Sequence, residues 1–322
     1  MIRFATIGSN FIVDWFLRDS AACGELEHAA VYSRTAETAQ AFGQKHGVKK
    51  TFTDLDALAA DRNIDAVYIA SPNSFHCEHT IKMLSAKKHV LCEKPIACTL
   101  SEFKRMRKAA EENGVVLMEA MRSVYDPVFL KIRELLPLLG KLRRASFEYC
   151  QYSSRYDKFK QGIMTNAFDP RFKGGSLMDI GVYCVHPLVK LFGMPDKVLA
   201  DAIMLENGLD GAGTAVLSYD SGLQAELIYS KIADGYRESQ IQGEKGTLTI
   251  DSIHNPSVIK LFLRGKEAES FVFEKPAWNM QYEACAFADE INGKGESSLD
   301  ASEAETELLD IIREQIGLSF PE

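Results

Sequence analysis

Ile2-Arg3-Phe4-Ala5-Thr6-Ile7 runs straight into Gly8-Ser9-Asn10-Phe11-Ile12-Val13, and this junction decides the fold. The first stretch reads as a buried strand and Phe11–Ser20 as an amphipathic helix, with a glycine turn between them. A dinucleotide-binding turn has glycine at its first, third and sixth places. Only Gly8 remains here, because Asn10 and Val13 replace the other two. Asparagine tolerates a left-handed backbone better than most residues, so a tight turn is still expected. Taken alone, an ordinary strand-to-helix connection explains the stretch nearly as well. Context decides: a second strand, Glu27–Ser33, ends about 20 residues further on, where a ribose would lie.

The same grammar continues outward. Helix Thr35–Gly47, strand Val48–Phe52, helix Leu55–Ala60, strand Asp65–Ala70 and helix Phe75–Ala86 follow in turn. Strand His89–Cys92, helix Leu100–Asn113 and strand Val115–Met118 complete the pattern. Near-continuous apolar strands alternating with helices predict an α/β unit over residues 1–121, a Rossmann-type doubly wound parallel sheet. Ligands of such sheets bind beyond the carboxyl ends of the strands.

After about Arg122 the pattern changes. A helix, Asp126–Leu136, leads to a long strand, Lys141–Ser153, then a loop, Ser154–Lys173, and a helix, Gly181–Phe192. Gly213–Tyr219 and Gly222–Ile232 flank a turn, as do Arg237–Gln242 and Gly246–Ile250. Val258–Leu263 and Ser270–Phe273 add strands, and two helices, Asn279–Ile291 and Ala301–Ile316, follow. Consecutive hairpins predict an α+β domain over 122–322 with a mainly antiparallel open sheet.

Composition narrows the function. The chain has 322 residues, about twice a typical domain, and a net charge of −8. That acidity offers nucleic acid or an anionic membrane nothing to hold. No apolar run approaches the roughly 20 residues that span a bilayer, and Met1–Gly8 reads as a strand rather than a leader. The seven cysteines are scattered without a C-x-x-C pair, which fits reduced thiols in a cytoplasm. His76, Cys77 and His79 read as surface helix chemistry; no metal site is expected.

Three stretches carry chemistry. Where a NAD site usually has an acidic residue, this chain has Ser33 and Arg34, a hydroxyl and a guanidinium suited to a ribose 2′-phosphate. That favours NADP, with NAD as the second possibility. His89-Val90-Leu91-Cys92-Glu93-Lys94-Pro95 delivers Glu93 and Lys94 to the end of a buried strand, beside the expected nicotinamide. Gly174-Gly175-Ser176-Leu177-Met178-Asp179-Ile180-Gly181-Val182-Tyr183 turns sharply at its glycines and puts Asp179 and Tyr183 on one helix face. His186 lies one turn on, before Pro187, which should distort the helix. A helix cap at Asp179 and a packed aromatic at Tyr183 are the plainer alternatives.

Together these stretches resemble the glucose–fructose oxidoreductase / inositol dehydrogenase (Gfo/Idh/MocA) family along essentially the whole chain. The resemblance rests on Ala70-Ser71-Pro72-Asn73 with His76, on Cys92-Glu93-Lys94-Pro95, on Met118-Glu119-Ala120 and on the Gly174–Tyr183 stretch. The ending Ile316-Gly317-Leu318-Ser319-Phe320-Pro321 looks like the dimeric dihydrodiol dehydrogenase branch. It implies a nicotinamide cofactor, a sugar, polyol or related alcohol as substrate, and an open sheet that serves as a homo-oligomer interface.

By the same resemblance Lys94, Asp179 and Tyr183 are the catalytic candidates. Gly8, Ser9, Asn10, Phe11, Ile12, Ser33, Arg34, Ser71, Pro72, Asn73, His76, Glu93 and Lys94 are the cofactor-binding ones. Arg155, Asn166 and Arg171 from the long loop, with Lys94, Asp179, Tyr183 and His186, are the substrate-binding ones. A phenol ordinarily ionises near pH 10, too high for base work at neutrality, and a neighbouring ammonium favours the phenolate. Lys94 is expected as that ammonium, or as the proton carrier itself. The rival readings are a cofactor-binding sensor without turnover and a nicotinamide-dependent glycosidase.

Overall fold

The computed structural model describes residues 1–275, 279–295 and 297–321. The chain forms two compact units, one of Met1–Arg122 with Trp278–Glu303 and one of Ser123–Ala277 with Ala304–Glu322. The chain leaves the first unit after Arg122 and later returns to it.

The first unit alternates β1 (Ile2–Ile7), α1 (Phe11–Ser20), β2 (Leu26–Tyr32), α2 (Ala36–Lys45), β3 (Thr51–Phe52) and α3 (Leu55–Ala60). Then come β4 (Ala66–Ile69), α4 (His76–Ser85), β5 (His89–Glu93), α5 (Leu100–Asn113) and β6 (Leu117–Ala120). The six strands are parallel in the order β3-β2-β1-β4-β5-β6. The order reverses between β1 and β4, which opens a crevice at the carboxyl ends of the strands. Every residue of β4 is buried, as expected of a strand covered on both faces. Side-chain caps start the helices: Thr35 accepts from the Thr38 N–H, Asp54 from Asp56 and Thr99 from Glu102.

After the short α6 (Arg122–Tyr125), the second unit opens with α7 (Pro127–Leu135), which Asp126 caps with proline at its first position. β7 (Leu142–Cys150), α8 (Tyr156–Lys160) and α9 (Val182–Phe192) follow. Seven strands come next: β8 (Lys197–Met204), β9 (Asp210–Ser218), β10 (Gln224–Ser230), β11 (Ser239–Gly243), β12 (Gly246–Ile250), β13 (Val258–Leu263) and β14 (Glu269–Val272). They form one sheet with β7, in the order β14-β13-β12-β11-β7-β10-β9-β8. All its pairs are antiparallel except β7 with β10, so the mainly antiparallel expectation stands with one parallel seam. The sequence reading passed over β8.

One face of the sheet is core. Ala145 and Phe147 of β7 and Ala225, Leu227 and Tyr229 of β10 are buried. On β8 and β9, Leu199, Ile203 and Val216 stand exposed. The expected loop Ser154–Lys173 contains α8 and two 3₁₀ turns, and Tyr156, Phe159 and Phe168 pack their rings together. The last helices are α10 (Met280–Ile291), in the first unit, and α11 (Leu299–Ile316), which passes through both segments. Among the described residues no helix is long and apolar enough to cross a membrane.

Candidate active site

In the first unit the candidate residues gather at the carboxyl ends of the strands. Gly8 has φ +119°, and a Cβ there would lie 2.8 Å from the carbonyl oxygen of Ala70, just beyond β4. Glycine is needed on both counts. Asn10 corrects the sequence reading: its φ is −93°, an ordinary extended conformation. Its Oδ1 accepts from the N–H groups of Ile12 and Val13, at 2.9 and 3.3 Å, and its Nδ2 donates to Ala70 O at 3.0 Å. Asparagine therefore replaces glycine as a helix cap that ties the ends of β1 and β4 together. Ser9 is half-buried beside it, and exposed Phe11 meets Trp15 edge-on.

Beyond β2, Ser33 donates its N–H to Phe52 O at 3.1 Å. Arg34 follows, exposed, with no side-chain hydrogen bond or ion pair among the described residues. A glycine without room for a Cβ, a helix N-terminus and an uncommitted guanidinium fit the pyrophosphate and 2′-phosphate of a dinucleotide.

Ser71, Pro72 and Asn73 form the turn after β4, where Ser71 Oγ meets His79 Nδ1 at 3.1 Å. Burial lowers the pKa of His79 to about 4. His76 is only 1% exposed, and its ring lies 2.9 Å from Pro95 O and 2.8 Å from Ser71 O. The expectation that His76 touches the cofactor, and that the His76–Cys77–His79 trio is surface chemistry, is corrected accordingly. Both His76 and Cys77 are buried, and the imidazole braces the Ser71 turn against the lysine turn.

The lysine turn rests on buried polar groups. Glu93 accepts from the Tyr68 hydroxyl at 2.5 Å and from the Lys94 N–H at 3.3 Å. Desolvation raises its pKa, against the opposing pull of the Lys94 and Arg122 charges. Two further acids escaped the sequence reading as site supports. Glu119, fully buried, accepts from Ile96 N–H at 2.9 Å and from Ser302 Oγ at 2.7 Å, pinning the chain just past Pro95. Glu283 on α10 is buried, and burial, with Glu93 as a negative neighbour, pushes its pKa far up.

In the second unit, the helical stretch begins as a π-helix, Leu177–Gly181, and continues as α9. The irregularity expected at Pro187 thus lies earlier in the chain, and the helix runs through the proline. π turns are rare and recur at functional sites. The glycines of the stretch have identifiable neighbours. A Cβ on Gly174 would lie 2.8 Å from Ala167 O, and one on Gly181 would lie 3.0 Å from the ring of Tyr229.

Asp179, in the π turn, forms an ion pair with Lys231, a residue the sequence reading had not singled out. Tyr183 is 8% exposed and edge-on to Tyr149 and His254, at 5.8 and 6.1 Å between ring centroids. Tyr149 and His254 stack face to face at 3.8 Å. Lys231 and the Tyr149–His254 stack flank Asp179 and Tyr183; no motif marks the lysine, which follows a hairpin strand.

Other candidates lie elsewhere. His186 is buried, with its Nδ1 2.5 Å from the Glu305 carboxylate, so it is an interior hydrogen-bond partner where a substrate ligand was expected. Arg171 is exposed and paired with Asp169, which also caps its N–H. Asn166 is exposed at the start of a 3₁₀ turn, and Arg155 is half-buried before α8.

A sheet in this strand order, with a single glycine turn and a lysine at the end of β5, defines a dinucleotide-binding oxidoreductase built of a Rossmann unit and a second α+β unit. Residues 2–121 match the family model "Oxidoreductase family, NAD-binding Rossmann fold", and residues 129–249 match the "GFO/IDH/MocA C-terminal domain". The chain belongs to the Gfo/Idh/MocA oxidoreductase family.

It is 44% identical to the scyllo-inositol 2-dehydrogenase (NADP(+)) IolU of Bacillus subtilis, over 100% of this chain and 99% of that protein. It is 29% identical to the trans-1,2-dihydrobenzene-1,2-diol dehydrogenase of Mus musculus, over 100% of this chain and 98% of that one. A crystal structure of the 3-ketoreductase KijD10 from Actinomadura kijaniata, in complex with NADP and TDP-benzene, superposes with a TM-score of 0.84. That match has 25% identity and covers 98% of each chain.

Proposed function

We propose that this chain is an NADP-dependent dehydrogenase whose alcohol substrate is a cyclic polyol of the inositol class. The observation that carries the reading is full-length similarity, at 44% identity, to an NADP-dependent scyllo-inositol dehydrogenase. The NADP preference is supported by Ser33 and the uncommitted Arg34, with no acid at the ribose position. Gly8, Ser9, Asn10, Phe11 and Ile12 would hold the pyrophosphate, and Ser71, Pro72, Asn73 and Glu93 would line the rest of the dinucleotide.

When bound, the nicotinamide supplies a hydride acceptor for the carbon that bears the substrate hydroxyl. The chain supplies the proton chemistry. Tyr183 takes the hydroxyl proton, Lys94 hydrogen-bonds the developing alkoxide, and Asp179 orients the acting groups. The opposite assignment makes Lys94 the proton carrier. The Tyr149–His254 stack lies beside Tyr183.

A homo-oligomer joined through the open sheet is part of the proposal, supported by exposed Leu199, Ile203 and Val216. So is a cytoplasmic location, on the reduced-thiol reading of the cysteines.

Purified chain incubated with NADP⁺ and scyllo-inositol tests the reading, alongside a linear polyol, an aldose and NAD⁺. Cofactor reduction fastest with the cyclic polyol and NADP⁺ is the expected result. NADP⁺ binding without turnover of any alcohol would return the sensor reading. Sugar release without net cofactor change would return the glycosidase.

A further inference from the structure

We infer that Lys231 is a positioning residue of the reaction, acting through Asp179; the inference rests on the dehydrogenase reading above. Lys231 follows directly on β10, and its backbone is fixed on both sides. Its N–H donates to Gly211 O at 2.9 Å, and its carbonyl accepts from Ser153 N–H at 2.9 Å. Its ammonium pairs with the Asp179 carboxylate and lies 5.9 Å from the centroid of the buried Phe168 ring.

The two partners differ in exposure, at 7% for the Lys231 side chain and 35% for Asp179. An ammonium taken this far out of water is retained only where a partner charge offsets its desolvation. The cation is therefore the anchored member of the pair, and the carboxylate is the member that reaches the open side. Asp179 sits in the π turn, four residues before Tyr183. Lys231 holds the carboxylate in one orientation at that place.

A substrate hydroxyl or the Tyr183 phenol thus meets an acceptor in a fixed position. Preorganised acceptors of this kind contribute through orientation, and a displacement of about 1 Å costs about 100-fold in rate. Lys231 and Asp179 belong to the second unit and the dinucleotide candidates to the first, so cofactor affinity should not depend on Lys231.

The test compares wild type, Lys231→Met, Lys231→Arg, Asp179→Asn and the Lys231→Met/Asp179→Asn double variant. The readouts are kcat, the KM for scyllo-inositol and the KM for NADP⁺. Lys231→Met is expected to lower kcat about 10- to 100-fold with the KM for NADP⁺ unchanged, and Lys231→Arg to restore most of it. In the Asp179→Asn background the lysine change should add less than about a twofold further loss, because the two residues act as one unit.

Should Lys231→Met fail to fold, the double variant leaves no unpaired ion, and its kcat against Asp179→Asn alone gives the same decision. Independent, multiplying losses would overturn the inference, as would full kcat in Lys231→Met, while wild-type turnover upheld the dehydrogenase reading. A wild type that binds NADP⁺ but turns over no alcohol would overturn both.

Discussion

Asp210 and Gly175 are mutually exclusive with any larger side chain at position 175: a Cβ there would overlap Asp210 Oδ1. Asp210 is buried at the start of β9, and its Oδ2 accepts the Leu177 N–H at 2.7 Å. That N–H belongs to the first turn of the helical stretch carrying Asp179 and Tyr183. The carboxylate thus caps this stretch from a strand, and the glycine pair makes room for it.

Gly175→Ala should therefore cost more than an ordinary loop substitution. Gly175 has φ +104°, so alanine there is strained by its backbone as well as by the overlap. Together these amount to about 3 kcal/mol. A lower denaturation midpoint with a matching loss of turnover is expected; a variant as stable as wild type would show that the cap is dispensable.

Asp210 also gives stability a pH dependence. Burial raises its pKa from 3.8 to about 6, against the lowering effect of the Leu177 hydrogen bond. A carboxyl raised on folding binds its proton more tightly in the native chain. Its contribution is full below the unfolded value and lost as pH rises through about 6. Asp210→Asn is neutral throughout and can still accept from Leu177. Between pH 4 and pH 7, paired urea titrations should move in favour of the variant by up to about 3 kcal/mol. A gap that stays constant across this window would refute the assignment.

These relationships also show what a sequence can carry. The Rossmann sheet was legible because its strands are buried on both faces and read as apolar runs; β1, β4 and β5 need no partner to be recognised. β8 was not legible: Lys197, Leu199, Asp201 and Ile203 alternate with half-buried Val198, Ala200 and Ala202, a pattern of weak contrast. The return of α10 to the first unit depends on contacts distant in sequence, such as Asp19 Oδ2 with Met280 N–H. Lys94, Asp179 and Tyr183 stood out through their motifs. Lys231 did not, because its partner lies 52 residues away and a lysine after a hairpin strand usually faces solvent. At Asn10 the sequence pointed to the right turn for the wrong reason, since a capping side chain and a permissive backbone favour the same residue.

Lys94→Ala separates chemistry from binding. The turn that presents Lys94 is held by Glu93, Glu119 and the His76 ring, none of which the substitution removes. Turnover of scyllo-inositol should fall about 10²- to 10⁴-fold, the range for loss of a group that handles a reacting proton. NADP⁺ affinity measured by calorimetry should change only a few-fold. Near-normal turnover would remove Lys94 from the reaction, and lost affinity would move it to the cofactor site.

Arg34→Ala tests the choice between the two dinucleotides. Arg34 is exposed beyond β2, and its guanidinium makes no side-chain hydrogen bond or ion pair among the described residues, so truncating it disturbs little else. A charge-assisted hydrogen bond to phosphate contributes about 1.5–3 kcal/mol, which converts to about 10- to 100-fold in affinity. The variant should lose that factor in kcat/KM for NADP⁺ and almost nothing for NAD⁺, which has no 2′-phosphate. Its thermal midpoint should stay within about 1 °C, as for a surface substitution away from caps and pairs. Equal losses with both cofactors would mean that Arg34 shapes the turn before α2 instead, and the preference would then have to come from another part of the ribose site.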